Sequence, residues 1–161
     1  MADRNPGPNP GPADIKALLT PGRRVLGLDL GTKTIGLAIS DARWLLASPL
    51  HTIRRTKFTQ DARELLDLCA REHVAALVLG WPVEMDGTEG KRCQSTRQFA
   101  ANLRPLTDLP VAYWDERLST AAVQRMMIDE MDLSRKKRAE NVDKLAAAYI
   151  LQGFLDTMAR V

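Results

Sequence analysis

Cysteine is scarce in this chain: there are two, Cys69 and Cys93. Neither belongs to a metal-ligand spacing, and both fall in stretches that read as helical, so nothing points to a disulfide scaffold or to export. The expected setting is reduced and cytoplasmic. No apolar run approaches the length that spans a bilayer, which argues against a membrane partner. Residues 1–22 lack the apolar centre of a signal peptide. A large charge of one sign is missing too. The balance of 23 basic and 20 acidic residues leaves +3, a mild hint of a polyanionic partner that an ordinary solvated surface matches equally well. Internal repeats are absent, and 161 residues suit one domain.

Proline, glycine and asparagine crowd Asp3 to Ala13, a composition that buries little. Residues 1–22 are therefore expected to be a disordered tail, with at most a helical turn over Asp14 to Leu19, and residues 23–161 the single folded domain. The chain is organised around Val25 to Ser40. Its first half reads as a buried strand, Gly31-Thr32-Lys33 as a tight turn, and Ile35 to Ser40 as the returning strand. One carboxylate, Asp29, interrupts the apolar first strand. An unpaired buried acid is costly, so Asp29 needs a metal ion, a basic side chain or backbone donors. A turn cap is the plainer use for it.

Leu45 to Arg55 contains Pro49, which removes a ladder donor and makes this an edge strand. Thr59 to Glu72 is helical by pattern, with Ala62, Leu65, Leu66, Cys69 and Ala70 in one stripe. Val74 to Leu79 reads as a strand buried on both faces. Val83 to Lys91 is a loop. Lys91 to Leu103 is a helix with Phe99, Ala100 and Leu103 inward, and Val111 to Trp114 is a short strand. Ser119 suits an N-cap for a helix over Thr120 to Met131. A last helix is expected from about Asn141 to Met158, its inner face lined by Val142, Leu145, Ala146, Tyr149, Ile150, Gly153 and Phe154. An early hairpin followed by alternating helices and strands predicts an α/β mixed sheet flanked by helices.

Three acids occupy comparable places. Asp29 ends the first strand, Glu116 follows the strand Val111 to Trp114, and Asp143 falls in the first turn expected for the last helix. Ligands gather outside the carboxyl ends of strands in such sheets. Converging carboxylates suit hard divalent cations such as Mg2+ or Mn2+, which can activate water for phosphodiester hydrolysis. Each acid also has a bland use. Asp143 would suit a helix N-terminus without any metal, Glu116 could pair with Arg117, and Asp115, of opposite strand parity, could be the working acid instead.

Four segments resemble the YqgF/RuvX family: Leu28-Asp29-Leu30-Gly31-Thr32-Lys33-Thr34-Ile35-Gly36-Leu37-Ala38; Val78-Leu79-Gly80-Trp81-Pro82 with Met85-Asp86-Gly87-Thr88-Glu89-Gly90; Asp115-Glu116-Arg117-Leu118-Ser119-Thr120; and Val142-Asp143-Lys144-Leu145-Ala146-Ala147. They run in the family's order over about Arg24 to Asp156. That family comprises Holliday junction resolvase-like proteins, also described as pre-16S rRNA nucleases. The resemblance implies an RNase H-like fold, a metal-dependent nuclease, catalytic and metal-holding roles for Asp29, Glu116 and Asp143, and a bacterial, cytoplasmic role in ribosome biogenesis. Trp81 departs from the family, which usually has a smaller apolar residue there.

Candidate substrate contacts are Thr32, Lys33 and Arg117, together with Arg135, Lys136, Lys137 and Arg138. These last four form the densest basic run, expected between two helices, where a nucleic-acid backbone would relieve their mutual repulsion. The partner is thus nucleic acid, an rRNA precursor or branched DNA. A resolvase cuts two symmetric strands and works as a homodimer, whereas an RNA-trimming enzyme can be a monomer. Asp-Leu-Gly-Thr also resembles the first phosphate loop of actin-like and chaperone ATPases, but those need two lobes and this length supplies one. A non-catalytic nucleic-acid-binding module would keep the basic run and have no use for three acids at one edge.

Overall fold

The computed structural model describes residues 9–82, 87–118 and 135–161. The helix expected over Thr120 to Met131 lies outside these residues, as do Met85 and Asp86. The elements run α1 (Pro12–Leu18), β1 (Arg24–Leu30), β2 (Thr34–Ser40), β3 (Ala47–Arg54), α2 (Phe58–Arg71), β4 (Val74–Trp81), α3 (Lys91–Leu103), β5 (Val111–Asp115) and α4 (Arg135–Ala159). One sheet holds the strands in the order β3-β2-β1-β4-β5. β1 pairs antiparallel with β2 and parallel with β4, which pairs parallel with β5. The sheet is mixed, as expected. β3 is an edge, and the ladder shifts register where Pro49 faces Ala38, because proline has no N–H to give.

Alternation along the strands sorts the core into two layers. Leu26, Leu28, Ile35, Leu37, Leu77 and Leu79 face α2 and α3 and pack with Leu65, Phe99 and Leu103. Val25, Ala38, Ala76, Val78 and Ala112 face α4 and meet Ala147, Leu151, Phe154 and Leu155. The second layer is built from smaller strand residues, so α4 lies closer to the sheet. A Cβ on Gly27 would stand 2.7 Å from Leu151 Cβ and 3.0 Å from the Ala147 carbonyl oxygen.

Three expectations need correction. Residues 12–22 are not part of a tail, because α1 docks on α4 through Ile15, which is fully buried. The last helix begins at Arg135, not near Asn141. The basic residues Arg135, Lys136, Lys137 and Arg138 therefore open a helix instead of forming an interhelical loop, in keeping with the good helix propensity of arginine and lysine. The buried stripe of α4 is also turned from the one expected: it consists of Ala147, Ala148, Ile150, Leu151, Phe154, Leu155 and Met158, while Leu145, Ala146, Tyr149 and Gly153 are only partly covered. The close approach over Gly27 sets that rotation by putting Ala147 and Leu151 on the strand.

Candidate active site

Asp29 shares its strand face with Val25 and Gly27, the face that α4 covers. In the β1–β2 ladder it stands opposite Gly36. A Cβ at Gly36 would fall 2.0 Å from the Asp143 carbonyl oxygen and 2.9 Å from Asp143 Cβ. The bare glycine is thus what lets the backbone of α4 rest on β2 and bring Asp143 beside Asp29. Thr34, two residues back on the same face, donates its hydroxyl to Asp143 Oδ2 and fixes that carboxylate. Gly80 plays a similar part on β4, where a Cβ would lie 2.6 Å from Glu116 Oε1 and 2.5 Å from Ile150 Cδ1. Glu116 itself sits in a short 3-10 turn, Glu116–Leu118, directly after β5.

Asp29 feels the charge of both other acids. Burial first, then the charge of Glu116 and, more weakly, that of Asp143, against the opposing pull of Arg92, together raise the Asp29 carboxyl from its ordinary 3.8 to about 6. Burial likewise raises Glu116, with Arg92 lowering it and Asp115 raising it. An excess of negative charge in a half-buried place is the condition a hard cation relieves. Among the described residues no three such side chains converge tightly enough to make a ready-formed metal cage. The site is a set of electrostatically coupled neighbours, each held on its own element.

The alternatives for these acids are now distinct. Asp115 is bound to Arg117, with Nη2 2.7 Å from Oδ2 and Nε 3.1 Å from both oxygens. That pairing holds the Asp115 carboxyl below its ordinary range, so Arg117 neutralises Asp115 instead of Glu116. Asp143 lies more than two turns inside α4 and not in its first turn as expected, which removes the helix-dipole account of it, since that field fades within a turn.

Thr32 and Lys33 are exposed at the tip of the β1–β2 turn. The turn is closed by Gly31 N–H bonding the Thr34 carbonyl at 2.9 Å, and Arg55 braces it through bonds to the Lys33 and Gly31 carbonyls at 2.8 and 2.7 Å. Both side chains are left facing solvent beside the strand end that carries Asp29. The basic residues 135–138 begin the helix that carries Asp143. Sequence reasoning missed Arg92, Thr34 and Gly36. Arg92 opens α3 as one half of a Lys-Arg pair, which reads as an ordinary solvated helix start. Gly36 and Thr34 declare their roles only once α4 is seen to lie across β2.

The mixed sheet, with acids at the carboxyl ends of β1 and β5, agrees with the nuclease class that the family resemblance implies. The RuvX family model, described as Holliday junction resolvase, matches residues 23–157, and the chain belongs to that family. Similar curated proteins carry the provisional name pre-16S rRNA nuclease. The one from Paramagnetospirillum magneticum is 64% identical over 145 residues, covering 90% of this chain and 93% of its own. That from Rhodospirillum rubrum is 63% identical over 142 residues, covering 88% of each. Among solved structures, T. thermophilus RuvC in complex with a Holliday junction substrate aligns with a TM-score of 0.56 at 17% identity, covering 85% of this chain and 96% of its own. Fowlpox virus resolvase in complex with Holliday junction DNA aligns at 0.51 and 11%, covering 84% and 98%. These two likenesses concern the fold. Family membership decides against the ATPase-lobe reading.

Proposed function

We propose that this protein is a divalent-metal-dependent nuclease that hydrolyses phosphodiester bonds in processing the 5' end of pre-16S rRNA. The observation that carries the reading is the coupling of Asp29, Glu116 and Asp143 on one small-residue face of a RuvX-family sheet. The names of relatives at 54–64% identity, matched over most of both chains, support the RNA substrate.

Asp29, Glu116 and Asp143 would hold Mg2+ or Mn2+; the fit rests on their all-oxygen donor set and on the unrelieved negative charge around Asp29. Such an ion, when bound, lowers the pKa of water and stabilises the charge that develops on phosphate oxygens. The chain's own groups bind and orient. Thr34 keeps the Asp143 carboxylate from rotating away. Arg92 offsets part of the acids' repulsion. Lys33 and the basic opening of α4 supply positive charge for the nucleic-acid backbone, and Thr32 offers a hydroxyl at the turn. Arg117 orders the Asp115 carboxylate and leaves Glu116 to the site. This reading requires no symmetric pair of sites, so a monomer suffices. A cytoplasmic location fits it, and no helix among the described residues is long and apolar enough to cross a membrane.

The second reading is a junction resolvase acting in DNA recombination, favoured by the description of the family model. It needs a homodimer with paired sites. Cleavage of a labelled pre-16S fragment is measured beside a four-way DNA junction, in Mg2+, in Mn2+ and in chelator. The rRNA reading expects trimming of the RNA only with metal and an intact junction. Symmetric nicking of the junction with the RNA untouched would replace it by the resolvase reading, and cutting in chelator would contradict metal dependence.

A further inference from the structure

Around the carboxyl end of β4 lies a cluster of side chains that the acid site does not use. Trp81 is the last residue of β4 and stands opposite Asp115, the neighbour of Glu116. It follows Gly80, which touches Glu116, and by strand alternation it faces the α3 side. Its indole is half-buried, 4.7 Å centroid to centroid from the half-buried Tyr113 ring. The Arg97 guanidinium lies over Trp81 at 5.2 Å, and Arg104 lies 5.9 Å from the Tyr113 ring. Arg97 is exposed and also pairs with exposed Glu89 at 2.7 Å. Contacts of this kind at a solvated surface contribute little to stability. Helix α3 links the cluster to the acids: Arg92 in its first turn acts on Asp29 and Glu116, and Arg97 sits over the indole.

We propose that Trp81, with Arg97 over its ring, is a stacking platform that takes an unpaired base beside the scissile bond. The proposal rests on the nuclease reading of the acid site and adds to it a preference for a single-stranded flank. Every base has a π-face, so an indole platform reads strandedness and not sequence. Arg97 is suited to a two-position role. Without substrate it lies on the ring and pairs with Glu89. With substrate, a phosphate next to the stacked base competes with Glu89 for the guanidinium, and the base takes the ring face that Arg97 leaves. A fully paired arm has its bases stacked on one another and gains nothing from the platform.

The test uses the full chain in chelator, so that nothing is cut. A short single-stranded RNA and the same sequence as a duplex are titrated while tryptophan emission is followed. Trp114 is buried and the Trp44 indole is bonded to the carbonyl of Arg23, just before β1 and at the opposite end of the β1–β2 hairpin from Asp29, so a change on binding reports Trp81. The single strand should quench emission and the duplex should not. Trp81→Leu should lose the quenching and bind the single strand about tenfold more weakly, with the loss confined to the single strand. Trp81→Phe keeps a ring and should retain most of the affinity. Arg97→Gln should weaken binding and make log affinity less steep in log salt by about one; with the Phe variant it carries the test if the Leu variant does not fold. Quenching and affinity that survive in Trp81→Leu overturn the platform, as does a parent protein that is not quenched. If the parent still trims RNA in metal while those results fail, only the platform falls; if it trims nothing, the nuclease reading falls.

Discussion

The two faces of the sheet use different residues for different ends. The face toward α2 and α3 is filled with leucine and isoleucine and packed by Phe99, nearly all of it buried. The face toward α4 carries Gly27, Gly36, Gly80, Ala38, Ala76 and Ala112, with Asp29 set among them. Large side chains on the first face keep helix and strand apart and bury the most apolar area, which is where folding energy comes from. Small residues on the second let backbone lie on backbone, as Asp143 does on Gly36. Close approach gives up buried area and gains position, since a carboxylate carried on a helix that touches the strand can be held beside one carried on the strand. The same chemistry on the α3 face would leave the acids separated by a layer of leucine.

Substitutions that exchange the two designs break the comparison. Gly36→Val puts a branched side chain where Asp143 already lies. It should cost about 3 kcal/mol or more through overpacking and abolish turnover by displacing Asp143, seen as a lower denaturant midpoint and no cleavage. Leu77→Ala on the opposite face should cost a similar 2–5 kcal/mol through its cavity, yet leave the turnover of the folded fraction near the parent's. Equal losses of turnover per folded molecule in the two variants would erase the distinction. The smallest effect is expected at the opening of α4. Replacing Lys136 and Lys137 with Ala should weaken binding of many sequences alike and make log affinity less steep in log salt, by about one for each phosphate that is no longer neutralised. A titration at several salt concentrations that returns the parent's slope would remove those lysines from the interface.

The parts of this molecule legible in the sequence are those governed by local rules. Lys91–Leu103 and Val74–Trp81 show their type in periodicity and apolar runs, and Pro49 marks β3 as an edge. Asp29 and Glu116 stand out because they are carboxylates at the ends of apolar strands, whereas Asp143 lies inside α4 and is singled out by its motif. What escaped depends on tertiary contact. Ile15 belongs to a short apolar cluster that follows a proline-rich stretch, and only its packing against α4 makes it core. The start of α4 is hidden because a basic run opposes the helix dipole, so its propensity looks like a loop's charge. Gly36 reads as a permissive strand residue until the helix that needs its missing Cβ is in place. Arg92 is an exposed arginine like many others, and its meaning comes from the two acids that feel its charge.

The central claim is that the α4 face trades stability for a charged site, and Asp29→Asn tests it most directly. The folded protein holds the Asp29 proton to about pH 6, against 3.8 for the ordinary group. The folded state therefore binds that proton more tightly than the unfolded chain, and stability falls as the pH rises from 3.8 to about 6. Above that window the ionised carboxylate costs about 3 kcal/mol. Asparagine keeps the shape without the charge. Thermal unfolding in chelator and cleavage of the pre-16S fragment in Mg2+ are measured on the parent and the variant at neutral pH. The predicted result is a variant that does not cut and yet melts higher than the parent, with the difference closing as the pH falls toward 3.8. A variant that cuts at the parent's rate, or that melts lower at neutral pH, would contradict the account.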